Sequence, residues 1–340
     1  MASVTGREWR LMRRPVGTPV PEDFALTEVE VPEPGGGQVL VRNLFLSVDP
    51  YMRGRMSDAK SYAAPYELGE PMTGGAIGEV IASEADGLAR GDLVRHMLGW
   101  REYALLEAGE ASQFQPAEGV PLSAYLGVLG MTGLTAYAGL MRIAGLRPGD
   151  RVFVSGAAGA VGSTAGQIAR IKGAGLVVGS AGSREKVAWV RDELGFDTAF
   201  NYKDAPVDEQ LAKAAPEGID VYFDNVGGDH LQAALGALRL KGRIAICGMI
   251  SRYNDTEPAP GPNNLSRLIQ TRGRIEGFLV GDHADLAGEF HRDMAPKVAS
   301  GELKYRETFT TGIDSALDAF LGILKGDNTG KMLVRLTDTT

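Results

Sequence analysis

Cysteine and histidine are scarce in this sequence, which limits the kinds of site that the chain can build. Cys247 is the one cysteine, and the four histidines are scattered at His96, His230, His283 and His291. A single thiol forms no intramolecular disulfide, and a zinc site needs several Cys, His or carboxylate ligands at suitable spacing. We therefore expect no disulfide, no metal site, surface positions for His230 and His291, and a reducing compartment such as the cytoplasm.

Positive charge is in the minority, and no run of basic residues interrupts the chain. Lys and Arg number 35 against 43 Asp and Glu, a net charge of -8, whereas nucleic-acid binding needs a basic face. Residues 1–10 carry charges where a signal peptide would need an apolar run. Residues 124–141 are uncharged, but four glycines weaken both the helix and its apolarity. We expect a soluble protein without nucleic-acid or membrane partners.

The length of 340 residues favours two domains, and the strand and helix patterns differ along the chain. Short candidate strands separated by Gly or Pro turns in the first 120 residues (38–47, 76–82, 92–97 and 102–106) suggest a small barrel or sandwich. Beyond residue 150, strands alternate with helices, which predicts a parallel, doubly wound sheet. These later candidate strands are 151–155, 176–180, 198–201, 221–224, 243–247 and 275–280.

A glycine pattern marks the start of the second region. Gly156, Gly159 and Gly162 follow an apolar strand and precede a predicted helix. A turn without side chains lets the backbone approach a pyrophosphate, and the helix supplies free N–H groups. An ordinary tight turn is the alternative, but the surrounding strands and helices favour a dinucleotide site.

The end of the next strand indicates which dinucleotide binds. An NAD site expects an acidic residue there to accept bonds from the ribose, but Gly179-Ser-Ala-Gly-Ser183 has none. Arg184 and Lys186 follow and suit a 2′-phosphate, which favours NADP(H). Alternatively, both cations are solvated charges at the start of a helix. Because the chain has neither a GxSxG elbow nor a Walker A motif, we expect the cofactor to carry most of the chemistry.

Together these features resemble the zinc-free branch of the medium-chain dehydrogenase/reductase superfamily. That branch contains leukotriene B4 dehydrogenases, prostaglandin reductases, plant double-bond reductases and bacterial curcumin reductases. Residues 73–78, Thr-Gly-Gly-Ala-Ile-Gly, lack the His of the Gly-His-Glu motif in zinc-dependent members. The matching segments are residues 46–56, 130–137, 157–162, 195–197, 201–203, 222–228, 247–254 and 330–332.

The resemblance implies an α/β fold with a GroES-like, β-barrel-type catalytic domain and a Rossmann domain that binds NADP(H). The expected boundaries are 1–125 for the catalytic domain, 126–305 for the NADP-binding domain and 306–340 for a return to the catalytic domain. A homodimer is expected. The implied cofactor-binding residues are Gly159, Ala160, Val161, Gly162, Ser183, Lys186, Tyr202, Asn225, Cys247, Gly248, Met249, Ile250, Ser251, Tyr253, Phe278, Leu279, Val280 and Asn328.

Three tyrosines, Tyr62, Tyr51 and Tyr253, are the candidate catalytic residues. Relatives often have a further tyrosine six residues beyond Tyr253, but Ala259 stands there in this chain. Tyr51 could instead pack beneath its loop, and Tyr62 could be a surface aromatic residue. The resemblance implies NADPH-dependent reduction of the C=C bond of α,β-unsaturated ketones or aldehydes. Quinone reduction and a non-catalytic NADPH-binding role are the alternatives.

Overall fold

In the computed structural model, which describes residues 3–337, the chain builds one unit, then a second, and then returns to the first. Unit 1 takes the described residues of Met1–Leu126, Glu307–Asn328 and Met332–Thr340. Unit 2 takes Gly127–Arg306 and Thr329–Lys331. Residues 1–2 and 338–340, which belong to the predicted segments 1–125 and 306–340, lie outside the described residues.

The first pass through unit 1 is almost entirely β-structure. The first two strands form an antiparallel pair of their own, and the third is a central strand that pairs with both the fourth and the sixth. Its side chains are therefore buried along most of its length, whereas the first strand keeps its two arginines, Arg7 and Arg10, partly exposed. The elements are β1 Val4–Leu11, β2 Phe24–Val31, β3 Gln38–Ser47, α1 Met52–Arg55, β4 Ala76–Ser83, β5 Leu93–His96, β6 Tyr103–Glu107 and β7 Ser112–Gln113.

Unit 2 alternates strands with helices. Three of its strands, 151–154, 176–181 and 219–224, are short, largely apolar and buried, as expected where helices cover both faces of a parallel sheet. The elements are α2 Met131–Ala138, β8 Arg151–Val154, α3 Ala160–Ile171, β9 Leu176–Ala181, α4 Arg184–Ala188, β10 Thr198–Asn201, α5 Val207–Ala214, β11 Ile219–Asp224, α6 Gly228–Ala237, β12 Leu238–Ile246, α7 Arg267–Thr271, β13 Arg274–Gly277 and α8 Ala287–Ala299.

The strand order of unit 2 positions its site. The sheet runs β10-β9-β8-β11-β12-β13, and each neighbouring pair is parallel. Counted from β8, this is the Rossmann order 3-2-1-4-5-6, in which ligands bind at the carboxyl ends of the strands where the order reverses. In this sheet the reversal lies between β8 and β11.

The chain then returns to unit 1 and completes its larger sheet. Two strands and a helix complete unit 1: β14 Glu307–Thr311, α9 Ala316–Lys325 and β15 Lys331–Arg335. The seven-stranded sheet runs β14-β15-β3-β4-β5-β7, and β6 lies off this path, paired with residues 38–42 of β3. Phe320 of α9 packs edge-on against the buried Trp100, which ties the returning helix into the core of unit 1.

The mixed α/β architecture, with an N-terminal sheet unit and a parallel Rossmann-like unit, confirms the predicted fold class. Several local expectations were wrong. β1 and β2 were not predicted, β12 begins at Leu238 rather than near residue 243, and β13 ends at Gly277, so that residues 278–280 are not strand. His230 is not at the surface: it is buried and stacked on Phe153. The uncharged segment 124–141 contains α2, and no helix among residues 3–337 is long and apolar enough to cross a membrane.

Candidate functional site

The glycine turn between β8 and α3 has the geometry of a phosphate-binding loop. Gly156 has a φ of +59°, a left-handed conformation that favours glycine, and its carbonyl oxygen accepts a 2.9 Å hydrogen bond from the N–H of Gly159. A Cβ at position 162 would lie 2.3 Å from that same oxygen. The turn therefore requires glycine, and it presents the first N–H groups of α3, at Ala160, Val161 and Gly162, to a ligand.

Three of the predicted cofactor-binding residues, Ser183, Lys186 and Tyr202, lie near one another at the end of β9. The hydroxyl of Ser183 accepts a bond from the backbone N–H of Lys186 and caps α4. The ring of Tyr202 lies beside Gly182, where a Cβ would be 3.1 Å from the tyrosine hydroxyl. The edge of the Tyr202 ring meets His230, with ring centroids 5.3 Å apart. This cluster of a cation, two hydroxyls and a close-approach glycine fits a phosphate monoester.

A buried carboxylate, Asp224, organises the carboxyl end of β11. Its Oδ1 accepts bonds from the Tyr222 hydroxyl at 2.7 Å and from the N–H groups of Val226 and Gly227 at 2.9 and 2.8 Å. The Ser155 hydroxyl donates to the same oxygen at 3.2 Å. Burial raises the pKa of the Asp224 carboxyl above its ordinary value.

The same turn holds the loop after β12, which contains the predicted cofactor-binding residues 247–251 and 253. The carbonyl oxygen of Asp224 accepts bonds from the N–H groups of Cys247 and Gly248 at 2.9 and 3.0 Å. Further along the two loops, the N–H of Ile250 donates to the carbonyl of Asn225, and the Ser251 hydroxyl donates to the carbonyl of Val226 at 2.6 Å. Residues 224–227 and 247–251 are thus fastened together along the backbone.

The side chains of this loop have defined surroundings. The amide of Asn225 donates to the carbonyl of Ser155 at 2.7 Å, next to the glycine turn. The Tyr253 hydroxyl accepts a 3.4 Å bond from the N–H of Met249, so it lies back over its own loop. Burial raises the pKa of the Cys247 thiol to about 12, which keeps it protonated and makes it a poor nucleophile.

The remaining predicted cofactor residues divide between the two units. Phe278 follows β13, donates its N–H to the carbonyl of Ile246 and meets Phe223 edge-on with centroids 6.3 Å apart. Leu279 comes next and is partly exposed, and Val280 begins a 3-10 turn. Asn328 follows α9 in unit 1.

The two tyrosines of unit 1 differ in exposure. Tyr51 directly precedes α1, and its hydroxyl is buried without a hydrogen-bond partner among the described residues. Burial, followed by the nearby Asp49 carboxylate, raises the pKa of Tyr51 well above its ordinary value. Tyr51 therefore stays a phenol that can donate a hydrogen bond at any physiological pH. Tyr62, in the segment after α1, is 66% exposed.

Sequence reasoning missed the supporting residues Ser155, Tyr222, Asp224 and His230. Asp224 offered a signal, an acidic residue directly after the apolar residues 221–223 of β11, but its partners include residues that follow β8 and β12. His230 offered none, because its burial depends on Phe153 and Tyr202, which are distant in sequence.

Comparison with known proteins agrees with this geometry. Residues 7–114 match the family model described as the N-terminal domain of oxidoreductase, and residues 160–296 match the one described as zinc-binding dehydrogenase. Within residues 3–337, however, no group of three or more His, Cys, Asp or Glu side chains could hold a metal ion.

Two relatives and one solved structure match nearly the whole chain. The NADPH-dependent curcumin reductase of Escherichia coli is 43% identical over 97% of this chain and 96% of its own length. The NADP-dependent 2-alkenal reductase of Nicotiana tabacum is 42% identical over 98% of each chain. Among solved structures, CurA from Vibrio vulnificus in complex with NADPH has a TM-score of 0.93 and 43% identity, and the match covers 98% of this chain and 100% of CurA. The chain therefore belongs to the zinc-free branch of the medium-chain dehydrogenase/reductase superfamily, a branch of NADP-dependent reductases, as its motifs predicted.

Proposed function

We propose that this enzyme uses NADPH to reduce the C=C bond of α,β-unsaturated ketones and aldehydes. The observation that carries the proposal is the buried hydroxyl of Tyr51, which has no hydrogen-bond partner among residues 3–337, in a chain that also builds a dinucleotide turn. Reduction of an enone develops negative charge on its carbonyl oxygen and needs a positioned hydrogen-bond donor. The relatives named for curcumin and 2-alkenal reduction support the same chemistry.

We assign the cofactor to unit 2. The backbone of residues 159–162 would hold the pyrophosphate, and Ser183, Lys186 and Tyr202 would hold the 2′-phosphate. The nicotinamide half would lie against Asn225, residues 247–253 and residues 278–280, and Asn328 remains a predicted cofactor-binding residue. When bound, NADPH supplies a hydride to the β-carbon of the substrate.

The protein's own part in the reaction is hydrogen bonding and proton delivery. A phenol from Tyr62 or Tyr51 would donate to the carbonyl oxygen as the enolate forms, and a tyrosine or water would then protonate the α-carbon. The high pKa of Tyr51 suits a donor that stays protonated throughout. Tyr253 is the third candidate, although its hydroxyl already accepts a bond from its own loop.

The proposal is tested by NADPH oxidation at 340 nm with a panel of enones, enals and quinones. We expect turnover with several enones or enals. Turnover with quinones alone would assign the enzyme to quinone reduction, and NADPH binding without any turnover would assign it a non-catalytic role.

We also propose that segments 1–125 and 306–340 act as the catalytic domain, that 126–305 acts as the NADP-binding domain, and that the enzyme is a cytoplasmic homodimer. The edge strand β13 and the nearby Leu265 and Ile269, which are 51% and 82% exposed, support pairing of two copies. A monomeric mass by light scattering at micromolar concentration would contradict the dimer.

A further inference from the structure

Tyr62 lies on a solvent-exposed segment of unit 1, residues 57–65, which follows α1 and ends at Tyr66. Lys60, Ser61 and Tyr62 are all exposed within it. Tyr66, by contrast, is 3% exposed, and its hydroxyl donates to the carbonyl oxygen of Thr73 at 2.7 Å. An exposed segment gains little from burial, so its conformation depends on polar contacts, among them the ion pair of Asp58 with Arg14 and the bonds made at its ends.

Arg55, the last residue of α1, makes bonds to both sides of this segment. Its carbonyl oxygen accepts a 2.7 Å bond from the N–H of Tyr66, and its Nε donates to the carbonyl oxygen of Ala64 at 2.9 Å. Its Nη1 donates to the hydroxyl of Thr73 at 2.7 Å, and its guanidinium carbon lies 4.2 Å from the centroid of the Tyr66 ring. One residue thus joins the start of the segment to its end.

The arrangement depends on properties of arginine that lysine lacks. The planar guanidinium directs separate N–H groups to Ala64 and Thr73 while its face lies on the ring of Tyr66. A lysine at position 55 has a single ammonium, which could reach one of these acceptors but could not reproduce the fork.

We propose that Arg55 is a positioning residue: it fastens segment 57–65 and so holds the Tyr62 hydroxyl in one place for the carbonyl oxygen of the substrate. This rests on the proposed function, which makes Tyr62 a hydrogen-bond donor. Because the Nε and Nη1 of Arg55 are engaged by Ala64 and Thr73, Arg55 acts through the segment rather than on the substrate.

The fastening is tested without any assay of activity. Lys60 is the only lysine in residues 1–171, so a lysine-specific protease that cuts the segment releases the fragment 1–60. With the opening of the segment as the limiting step, we expect Arg55→Ala to be cut at Lys60 at least about tenfold faster than the unchanged enzyme. Thr73→Val, which removes one of the two acceptors, should give a smaller increase and serves if Arg55→Ala does not fold.

A matched control comes from the same unit. Arg42 donates to Glu79 at 2.8 Å across β3 and β4, away from the segment. Arg42→Ala should leave the rate of cleavage at Lys60 unchanged. Equal cleavage rates in Arg55→Ala and Arg42→Ala would overturn the proposal that Arg55 fastens segment 57–65.

The link to Tyr62 is tested by enone kinetics. Arg55→Ala should lower kcat/KM at least about tenfold while the Kd for NADPH holds, and Arg55→Lys should recover only part of the loss. In a Tyr62→Phe background, Arg55→Ala should cause little further loss, because the hydroxyl that it positions is gone. Fast cleavage with unchanged kcat/KM, or a full additional loss in the Tyr62→Phe background, would overturn the positioning role. If the unchanged enzyme reduces no enone, the proposed function fails, and the protease comparison still decides whether Arg55 fastens the segment.

Discussion

Gly162 approaches Gly156 so closely that a Cβ at position 162 would lie 2.3 Å from the Gly156 carbonyl oxygen and 3.0 Å from the Cα of Ala157. Both contacts are with backbone, which cannot rotate away as a flexible side chain would. The first turn of α3 can therefore pack against the loop after β8 only if residue 162 has no side chain. This packing sets the distance between the glycine turn and the N-terminus of α3.

Gly162→Ala should weaken NADPH binding by at least about tenfold, because the turn or the start of α3 must move to admit the methyl group. Titration calorimetry measures the effect. Gly236→Ala, in the last turn of α6, is the matched control, since its Cβ would meet only the Asn264 amide at 3.8 Å. Equal Kd values for Gly162→Ala and Gly236→Ala would contradict the role of the glycine turn in binding the pyrophosphate of NADPH.

Lys186→Ala tests the choice of cofactor. An ammonium that pairs with the 2′-phosphate contributes about 1.5–3 kcal/mol, so NADPH binding should weaken by roughly ten- to a hundredfold while NADH binding barely changes. Lys213→Ala, on α5, should leave the affinity for both cofactors unchanged. Equal weakening of NADPH and NADH in Lys186→Ala would mean that Lys186 supports the fold instead.

Tyr62→Phe removes only a hydroxyl from an exposed ring. If that hydroxyl stabilises the enolate, kcat should fall on the order of ten- to a thousandfold, while the thermal midpoint and the Kd for NADPH hold. An unchanged kcat/KM across several enones would exclude Tyr62 as the donor.

Tyr51→Phe is the necessary comparison, and its effect on stability is also informative. The Tyr51 hydroxyl is buried without a partner among the described residues, so its removal should leave the thermal midpoint unchanged or raise it. A large loss of kcat without loss of stability would assign the donor to Tyr51. A lowered midpoint would show that the hydroxyl has a structural partner and contradict its role as a free donor.

Two buried histidines should make the fold sensitive to mild acid. Burial lowers the pKa of His96 and of His230 to about 4, from an ordinary value of 6.5. Because these pKa values are depressed in the folded state, their contribution to stability is complete above pH 6.5 and is lost as the pH falls towards 4. Each histidine should lower the free energy of unfolding by about 2 kcal/mol at pH 5 relative to pH 7. Urea unfolding of His230→Phe at pH 7 and pH 5 should show a smaller loss than that of the unchanged protein, whereas equal losses would contradict the assignment for His230.

The parts of the structure that could be predicted from sequence are those encoded locally. The apolar runs of β8, β9 and β11 and the glycines at 156, 159 and 162 identify the Rossmann unit because each signal is complete within a short segment. β1 was missed because its charged residues hide the strand pattern: Arg7 forms an ion pair with Glu102, and the buried Glu8 forms one with Arg10.

In the candidate site too, features encoded within one segment could be predicted, whereas contacts between distant segments could not. The lack of an acidic residue at the end of β9 is visible in the sequence and predicted NADP(H). The role of Asp224, by contrast, depends on the register of β8, β11 and β12, so no single segment of the sequence reveals it. The buried environment of His230 likewise requires Phe153 and Tyr202 to be brought together by the sheet.

The most direct test of the account is the position of deuterium in the product. NADPH carrying deuterium at the transferred C4 position is incubated with an α,β-unsaturated ketone, and the product is analysed by NMR and mass spectrometry. The account predicts a saturated ketone with one deuterium on the β-carbon. An allylic alcohol with deuterium on the former carbonyl carbon would contradict it.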